Sequence, residues 1–363
     1  MTEFIDIDGS ILEGGGQILR ISIALSAILG VPVRVSKIRA GRSKPGLASQ
    51  HLKGIELVGE MCQARVRGAS IGSTEIEFTP GPLRGGQYEA DTHTAGSVSL
   101  LLQAALPCAL FGAAPVELQL RGGTNAAMAP QVDFMAQTFR KLLNRFGADF
   151  EMTIHKRGYF PKGGGHVSVR VSPVRYLSGV DIMQGGRVTA VQGASFVAGN
   201  LPLHLAHGMA DGAKEELRPV CTKIDIKCYK EDRSVAPDNC NGINLWCTLA
   251  SGNILGSDAL GMRNVEGRAV GRAAGMAMRQ DLIVGACIDE HAQDQVIIYM
   301  ALAEGKSSIR TGFVSRHTKT AMHIAEMVAK VKFEIYPDST LRNQNIIECT
   351  GLGLTNKHLT PAQ

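Results

Sequence analysis

The feature that most constrains the fold of this chain is an internal repeat. In its first two copies an apolar helix ends at a glycine, a short strand follows, and an arginine and a glycine precede a second helix. Gly30 matches Gly112 and Arg39 matches Arg121, both with an offset of 82 residues. Repeated units of this kind bury their apolar faces against each other, so the pattern predicts small sheets covered by helices. The predicted elements are helices 21–30 and 47–62 with strand 31–38, then helices 95–111 and 130–146 with strand 116–120.

A third copy of the pattern is divided by an insertion. Strands 151–155 and 166–172 are predicted to begin this copy, which resumes near residue 285. The residues between carry their own helices and strands, so we predict an α/β fold of the α+β type, with three repeated units of two helices and a small sheet, and a small inserted α/β domain. The predicted division is 1–182 for repeats one, two and the start of three, 183–280 for the insert, and 281–363 for the rest of repeat three and a C-terminal tail.

Composition restricts the class of protein. Hydrophobic residues make up 44% of the chain and charged residues 20%, which is typical of a globular protein and not of a disordered one. The net charge of +5 is compatible with a polyanionic partner. The eight cysteines show no C-x-x-C pair and no zinc spacing, which predicts reduced thiols in an intracellular protein. The longest apolar run is too short to cross a bilayer, so no membrane partner is expected.

The stretch 312–320 precedes a helix with one apolar face, whose apolar residues recur at helical spacing from Ala321 to Val331. Ser315 is a candidate N-cap, and it places His317 in or beside the first turn. A helix N-terminus carries partial positive charge and free N–H groups, which favour a neutral imidazole and attract phosphate. His317 is therefore a candidate nucleophile toward phosphorus. From these residues alone, a surface histidine on a basic helix start is the alternative and the more common interpretation.

Two further segments have features of phosphate-binding loops. Three glycines after Glu13 open the first helix and would let phosphate oxygens approach backbone N–H groups. Their spacing matches neither the Rossmann fingerprint nor the P-loop. Lys37, Arg39, Arg42 and Lys44 place four cations in eight residues, which suits a phosphate cradle. The alternatives are an ordinary turn for the glycines and a solvated basic loop for the cations.

A loop of unusual composition precedes the strand predicted at 166–172. It reads Arg157-Gly158-Tyr159-Phe160-Pro161-Lys162-Gly163-Gly164-Gly165-His166-Val167 and resembles the signature of the RNA 3′-terminal phosphate cyclases. The resemblance spans nearly the whole chain and is to the eukaryotic catalytic branch. It implies three units similar to the C-terminal domain of translation initiation factor three, with a small inserted domain. Further matching motifs are Glu13–Arg20, Ile38–Arg42, Pro45–Leu47, Gln50–Leu52, Thr94–Ser97, Gly122–Asn125, Ala129–Pro130, Asp294–Gln295 and His317–Thr318.

The resemblance implies a three-step reaction that consumes ATP with a divalent cation, Mg²⁺ or Mn²⁺. An active-site histidine takes AMP from ATP and releases pyrophosphate. The AMP passes to the RNA 3′-phosphate, and the adjacent 2′-hydroxyl then closes a 2′,3′-cyclic phosphate and releases AMP. The expected partners are therefore ATP and RNA 3′-phosphate ends.

The resemblance also implies roles for individual residues. His317 is the expected nucleophile, and Glu13 is expected near the metal and the phosphates. One position departs from the family, because His291 stands where a tyrosine is usual, three residues before Asp294. The expected ATP- and AMP-binding residues are Gln103, Pro130, His291, Asp294 and Gln295, and the expected RNA-end or phosphate contacts are Arg20, Arg39, Arg42 and Gln50.

Two other functions compete with this expectation. A non-catalytic relative of the same fold would act in ribosomal RNA processing and ribosome assembly, and it would lack the nucleophilic histidine. A small-molecule transferase on a similar repeated fold, as in enolpyruvylshikimate-phosphate synthase, is disfavoured by the signature at 157–167. A nuclear localisation, with the cytoplasm as the alternative, is implied only by the resemblance.

Overall fold

The computed structural model describes residues 3–339 and 344–359, in which helices alternate with short strands. The predicted α/β class is confirmed. The helices are α1 (Gly16–Leu29), α2 (Ser49–Met61), α3 (Val98–Leu110), α4 (Val132–Phe134), a π-helical turn (Met135–Phe139), α5 (Arg140–Arg145), α6 (His204–Leu217), α7 (Gly267–Val284), α8 (Glu290–Leu302) and α9 (Arg316–Ala329). The strands are β1 (Ile5–Asp8), β2 (Val33–Ser36), β3 (Arg65–Arg67), β4 (Ile76–Thr79), β5 (Gly86–Asp91), β6 (Val116–Gly122), β7 (Glu151–Lys156), β8 (Gly165–Val171), β9 (Asp181–Ile182), β10 (Val188–Ala198), β11 (Ile224–Lys230), β12 (Cys240–Leu249), β13 (Ile254–Leu260), β14 (Lys306–Thr311), β15 (Phe333–Pro337) and β16 (Asn345–Thr350).

Three four-stranded sheets have the same strand order. They read β1-β2-β4-β3, β5-β6-β8-β7 and β9-β14-β16-β15. In each sheet the first two strands are parallel and the other pairs are antiparallel. Parallel neighbours need a crossover connection, which α1, α3 and α8 provide. The likeness of each unit to the C-terminal domain of translation initiation factor three stays a prediction.

The assignment of the strands at 151–155 and 166–172 to the third unit was wrong. These strands are β7 and β8, and they complete the second sheet, where Val167 pairs with Leu120 and Val169 with Leu118. Period-two alternation identifies a strand but does not identify its partner, because pairing is decided by contacts distant in sequence. Of the described strands before the insertion, only β9 belongs to the third sheet.

A fourth sheet, β11-β10-β12-β13, is formed wholly by residues between β9 and α8. Helices α6 and α7 pack against each other and against this sheet, and their apolar residues form a hydrophobic cluster of their own. The helix predicted over 266–278 continues to Val284, because Gly285 with φ 68° provides the left-handed residue that ends it. The boundaries proposed for the insert, 183 and 280, stay a prediction.

Helix α1 lies at the centre of the core. Its residues from Gln17 to Ala27 are buried except Arg20, as expected for a helix that is apolar around most of its circumference. The buried hydroxyl of Ser22 forms a hydrogen bond within the helix, because its Oγ donates to the Ile18 carbonyl at 2.7 Å. Helices α2, α3 and α9 all pack on α1, so residues near its start are surrounded by three other elements.

Arg157 joins the second sheet to the inserted one. Its guanidinium donates to Asp133 at 2.5 and 2.9 Å and lies 3.1 Å from Glu231, which follows β11. Its backbone N–H donates to the Val235 carbonyl at 2.8 Å. The Arg157 side chain is 9% exposed, so these contacts are poorly screened by water.

All eight cysteines are free thiols, as expected. Among the helices of residues 3–339 and 344–359, none is long and apolar enough to cross a membrane.

We predict that Arg157→Met destabilises the protein by about 3–5 kcal/mol, because it leaves two mostly buried carboxylates, 19% and 12% exposed, without their shared cation. Shifts in the midpoints of urea and thermal unfolding measure the loss. Arg170→Met is the matched control: Arg170 pairs with Glu151 at 3.9 Å on the surface, and its removal should change stability by at most about 0.5 kcal/mol. Equal losses in the two variants would contradict a stabilising role for the Arg157 cluster.

Candidate functional site

The start of α9 has the predicted geometry. Ser315 is the N-cap, and its Oγ accepts a hydrogen bond from the Thr318 backbone N–H at 3.1 Å. His317 is the second residue of the helix and is exposed. The imidazole therefore lies at the positive end of α9 and is open to a ligand.

The side chain of Gln293 on α8 holds this helix start in place. Its Oε1 accepts from the Thr318 hydroxyl at 2.8 Å and from the Ser315 N–H at 3.3 Å, and its Nε2 donates to the Phe313 carbonyl at 3.2 Å. Gln293 is 1% exposed. Since buried polar groups are costly to leave unpaired, these bonds fix one position of α9 on α8. Sequence reasoning missed Gln293, because no pattern in the sequence relates it to residues 313–318.

The glycine loop before α1 packs against the first turns of α9. Arg316 donates from its guanidinium to the Leu12 carbonyl at 2.8 Å. The Glu13 N–H donates to Thr320 Oγ1 at 3.2 Å. Two segments separated by some 300 positions in the chain, one with Glu13 and one with His317, therefore meet at one site.

Glu13 and Arg42 form an ion pair at the start of α1. The Arg42 guanidinium contacts Glu13 Oε1 and also donates to the Glu13 carbonyl at 3.3 Å. The Glu13 side chain is 9% exposed, and its Oε2 has no hydrogen-bond partner within the described residues. A Cβ on Gly15 would lie 2.2 Å from Glu13 Oε1, so a side chain at this position would displace the Glu13 carboxylate from the helix start.

Arg20 lies one turn further along α1. Its guanidinium contacts Gln17 Oε1, and its buried Nε has no hydrogen-bond partner among the residues that the structure describes. Burial lowers the pKa of Arg20, while the carboxylates of Asp294 and Glu13 act in the opposite direction. The cation is thus enclosed between α1 and α8 with a donor free for a ligand.

His51 lies in the first turn of α2, and the sequence patterns assigned it no role. Burial, and then the charges of Arg39 and Arg20, lower its pKa to about 3, so the ring is neutral near pH 7. Its Nδ1 accepts from the Ala48 N–H at 3.2 Å, and therefore the proton of the neutral ring is on Nε2. That Nε2 is the atom nearest to a Cβ built on Gly16, at 2.7 Å, which places it at the start of α1.

Arg39 and Gln50 are each held by one backbone contact. Arg39, with φ 53°, donates to the Gly46 carbonyl at 2.7 Å. Gln50 Oε1 accepts from the Ser97 N–H at 3.2 Å, which leaves its NH₂ group as a donor. Both residues flank His51, so the predicted RNA-end residues lie around the starts of α1 and α2.

Gln103 and Gln295 line one pocket together with Arg20. Gln17, Phe139 and Tyr299 also line this pocket, which is partly open to solvent. Gln295 donates to the His291 carbonyl at 2.6 Å, while its Oε1 has no partner in the described part of the chain.

Asp294 precedes Gln295 on α8 but does not line this pocket, and its carboxyl interacts electrostatically with Arg20 and His317. Burial raises the pKa of Asp294, and the charges of Arg20, His317 and His291 oppose that shift. These four ionisable groups therefore share one electrostatic environment, although they come from α1, α8 and α9.

Pro130 and His291 are not among the residues that line the pocket of Gln103. His291 is exposed at the start of α8, and its ring meets the edge of Phe134 at a centroid distance of 5.9 Å. Pro130 precedes Gln131, whose N–H donates to Asp258 at 3.3 Å. Burial raises the pKa of Asp258, which the charge of His291 opposes, so Asp258 of the inserted sheet also belongs near this site. Sequence reasoning missed it because β13 lies in the insert.

Glu13 is the residue whose carboxylate fits a divalent cation. Among the described residues, no group of three or more His, Cys, Asp or Glu side chains could hold a metal. An orphaned buried carboxylate oxygen suits Mg²⁺, which commonly binds one or two carboxylates together with substrate phosphates.

Comparison with known proteins finds one family along most of the chain. A family model described as RNA 3′-terminal phosphate cyclase matches residues 11–335. The chain is 39% identical over 357 residues to an RNA 3′-terminal phosphate cyclase of Drosophila melanogaster, covering 98% of each protein. It is 40% identical over 349 residues to one of Pyrobaculum aerophilum, covering 96% of this chain and 99% of the relative. A probable RNA 3′-terminal phosphate cyclase of Dictyostelium discoideum is 37% identical over 356 residues, with coverage of 95% and 82%.

We predict that His51 stays neutral, as the Nε2–H tautomer, through the region near pH 6.5 where an unperturbed histidine titrates. NMR of the histidine-labelled protein measures this, with the signal assigned by its loss in His51→Asn. Because the folded pKa lies below the unfolded one, the unfolded chain binds the extra proton between them, and stability is lost as pH falls from 6.5 toward 3. His51→Asn should lose less stability over that range. A midpoint near 6.5 would contradict the assignment.

Proposed function

The chain belongs to the RNA 3′-terminal phosphate cyclase family, and we propose that it uses ATP to convert an RNA 3′-phosphate to a 2′,3′-cyclic phosphate. In this proposal the protein is a ligase, and its substrates are ATP and RNA 3′-phosphate ends. The sequence comparisons support the family, and the arrangement around His317 supports the mechanism.

The proposed reaction has three steps. The far ring nitrogen of His317 attacks the α-phosphorus of ATP, and pyrophosphate leaves as the nitrogen–phosphorus bond forms. An oxygen of the RNA 3′-phosphate then attacks the same phosphorus, takes the AMP and frees the histidine. Finally the RNA 2′-hydroxyl loses its proton and attacks the 3′-phosphorus, so that AMP leaves and the cyclic phosphate remains.

The observation that carries this proposal is the exposed imidazole of His317 at the capped start of α9, beside Arg20 and Asp294. The helix start favours the anionic phosphate that approaches the ring. Asp294 lies where it would stabilise the positive charge that the ring acquires with a bound phosphoryl group. Gln293 positions the nucleophile by fixing the turn before it.

The phosphate contacts would come from residues of α1, α2 and the loop between β2 and α2. Arg20, Arg39 and Arg42 supply charge, and Gln50 supplies its free NH₂ group. His51 would add a neutral Nε2–H donor, which binds a phosphate without adding charge repulsion to Arg20.

The adenylate would contact residues of α3, α8 and the segment before α4. These are Gln103, Pro130, His291, Asp294 and Gln295, and the exposed ring of His291 would stack on the base in place of tyrosine. Mg²⁺ or Mn²⁺ would be held by Glu13 Oε2 and the substrate phosphates. Such a cation neutralises charge on the transferring phosphoryl group. Nuclear localisation rests on the resemblance alone and stays a prediction.

We predict that His317→Asn folds normally and forms no protein-bound AMP, because it removes the attacking nitrogen. The measurement is acid-labile radiolabel on the protein after incubation with α-labelled ATP without RNA. His323→Asn, on the same helix, is the control and should form the adduct at the wild-type level. An adduct on the His317 variant would rule out this nucleophile, and none on the wild-type protein would favour the non-catalytic ribosome-assembly alternative.

We predict that Arg39→Ala and Arg42→Ala each weaken cyclisation of 3′-phosphorylated RNA by about 1.5–3 kcal/mol, the range of a charge-assisted contact. The measurement is kcat/KM at several salt concentrations, since phosphate neutralisation makes RNA binding salt-dependent. Arg67→Ala is the control, an exposed arginine of β3 whose loss should leave cyclisation unchanged. Melting curves separate a lost phosphate contact from a lost loop, because Arg39 also bonds the Gly46 carbonyl. Wild-type kinetics at all salt concentrations would contradict a phosphate cradle here.

A further inference from the structure

A second pocket lies on the other side of Arg20. It lies between α1, α2 and α3 and is partly open to solvent. Three polar residues line it, namely Arg20, Gln50 and His51. The other lining residues are apolar or glycine: Leu19, Ile23, Gly54, Ile55, Leu100 and Ala104.

The polar residues of this pocket are all donors. Arg20 has a buried Nε without a partner in the described chain, and His51 carries its proton on Nε2. Gln50 has its oxygen engaged by Ser97, which leaves the NH₂ group. These residues lie near the starts of α1 and α2, whereas Ile23, Gly54 and Ile55 follow about one turn later. A ligand that fits has an anionic group at the helix starts and an apolar, hydrogen-bond-poor body beyond it.

Gly54 keeps the apolar part of the pocket open. It lies inside α2, where glycine is less favourable than alanine. No packing contact demands it, because a Cβ built on Gly54 would meet only Leu101 Cδ2, at the ordinary distance of 3.8 Å. A glycine that a helix does not need for packing points to close approach of a ligand.

We propose that this pocket holds the nucleobase of the 3′-terminal nucleotide of the RNA, with its 3′-phosphate on Arg20, Gln50 and His51. The inference rests on the proposed function and deepens it. Two pockets that share Arg20 suit a reaction in which the phosphates of two substrates must meet, ATP in one pocket and the RNA end in the other. Because the three donors are taken by phosphate and the other lining residues are apolar or glycine, the pocket recognises a base by its apolar faces and not by its hydrogen-bonding edge.

The test uses protein variants with a side chain in the pocket at Gly54 and an RNA substrate that lacks its terminal base. Gly54→Leu projects a side chain into the space, and Gly54→Ala does so to a smaller extent at a position with room for a Cβ. Gly59→Ala is the matched control, since Gly59 is on the same helix but faces Val66 and Phe78 at 3.6 and 3.8 Å. Each variant is assayed with a 3′-phosphorylated RNA and with the same RNA whose last ribose carries hydrogen in place of the base. Protein–AMP formation without RNA is measured in parallel.

We expect Gly54→Leu to lower kcat/KM for the ordinary RNA at least about ten-fold, the scale on which apolar pockets discriminate. Its kcat/KM for the base-free RNA and its formation of protein–AMP should equal the wild-type values. Gly54→Ala should show the same pattern to a smaller degree with an unchanged or raised melting temperature, which keeps the test valid if the leucine variant does not fold. Gly59→Ala should match the wild type throughout.

Three outcomes would overturn the inference while leaving the proposed function intact. Equal losses on both RNAs would show that the base is not the occupant. Slower protein–AMP formation would show that the pocket holds part of ATP. Unchanged cyclisation in both Gly54 variants would show that no substrate enters it. A wild-type protein that forms neither the adduct nor the cyclic phosphate would reject the proposed function, and this inference with it.

Discussion

The amide of Gln293 lies between α8 and the turn before α9, and this residue is almost fully buried. It satisfies two donors and one carbonyl of that turn, and each would cost about 1–3 kcal/mol if it were left buried and unpaired. The turn can therefore take only one position on α8. Because α9 also packs on α1, the same contacts set where His317 lies relative to Arg20 and the glycine loop. A site assembled from distant parts of the chain thus depends on a small buried network.

The charges around this site are arranged for an anionic ligand. The guanidinium of Arg20 is enclosed, and the carboxylates of Asp294 and Glu13 compensate its positive charge only in part. His51 is kept neutral by burial and by the charges of the arginines near it. Arg42 already pairs with Glu13, so a phosphate that approaches Arg42 would exchange one anionic partner for another. In the proposed reaction, that exchange would leave both oxygens of Glu13 for a divalent cation.

The sequence could predict those structural features that depend on residues close together in the chain. The N-cap Ser315, the position of His317 and the helices of the core follow from spacing and capping, which neighbouring residues decide. The strands β7 and β8 were found but assigned to the wrong sheet, since strand pairing depends on residues far away in the chain. Gln293 and Asp258 were missed for the same reason: each acts through a contact between elements that no periodicity relates.

Three equivalent helices supply polar side chains to the pocket lined by Arg20, Gln103 and Gln295. Helices α1, α3 and α8 connect the first two strands of the three similar sheets, and each supplies a glutamine to the pocket beside Arg20: Gln17, Gln103 and Gln295. Three helices that meet in a hydrophobic interior would be expected to present apolar side chains there. Amides in that position are costly unless they are paired, and Gln295 Oε1 has no partner among the described residues. The repeated architecture therefore brings three equivalent helices together around this pocket, and their amides supply the polar groups that the proposed adenylate contacts would use.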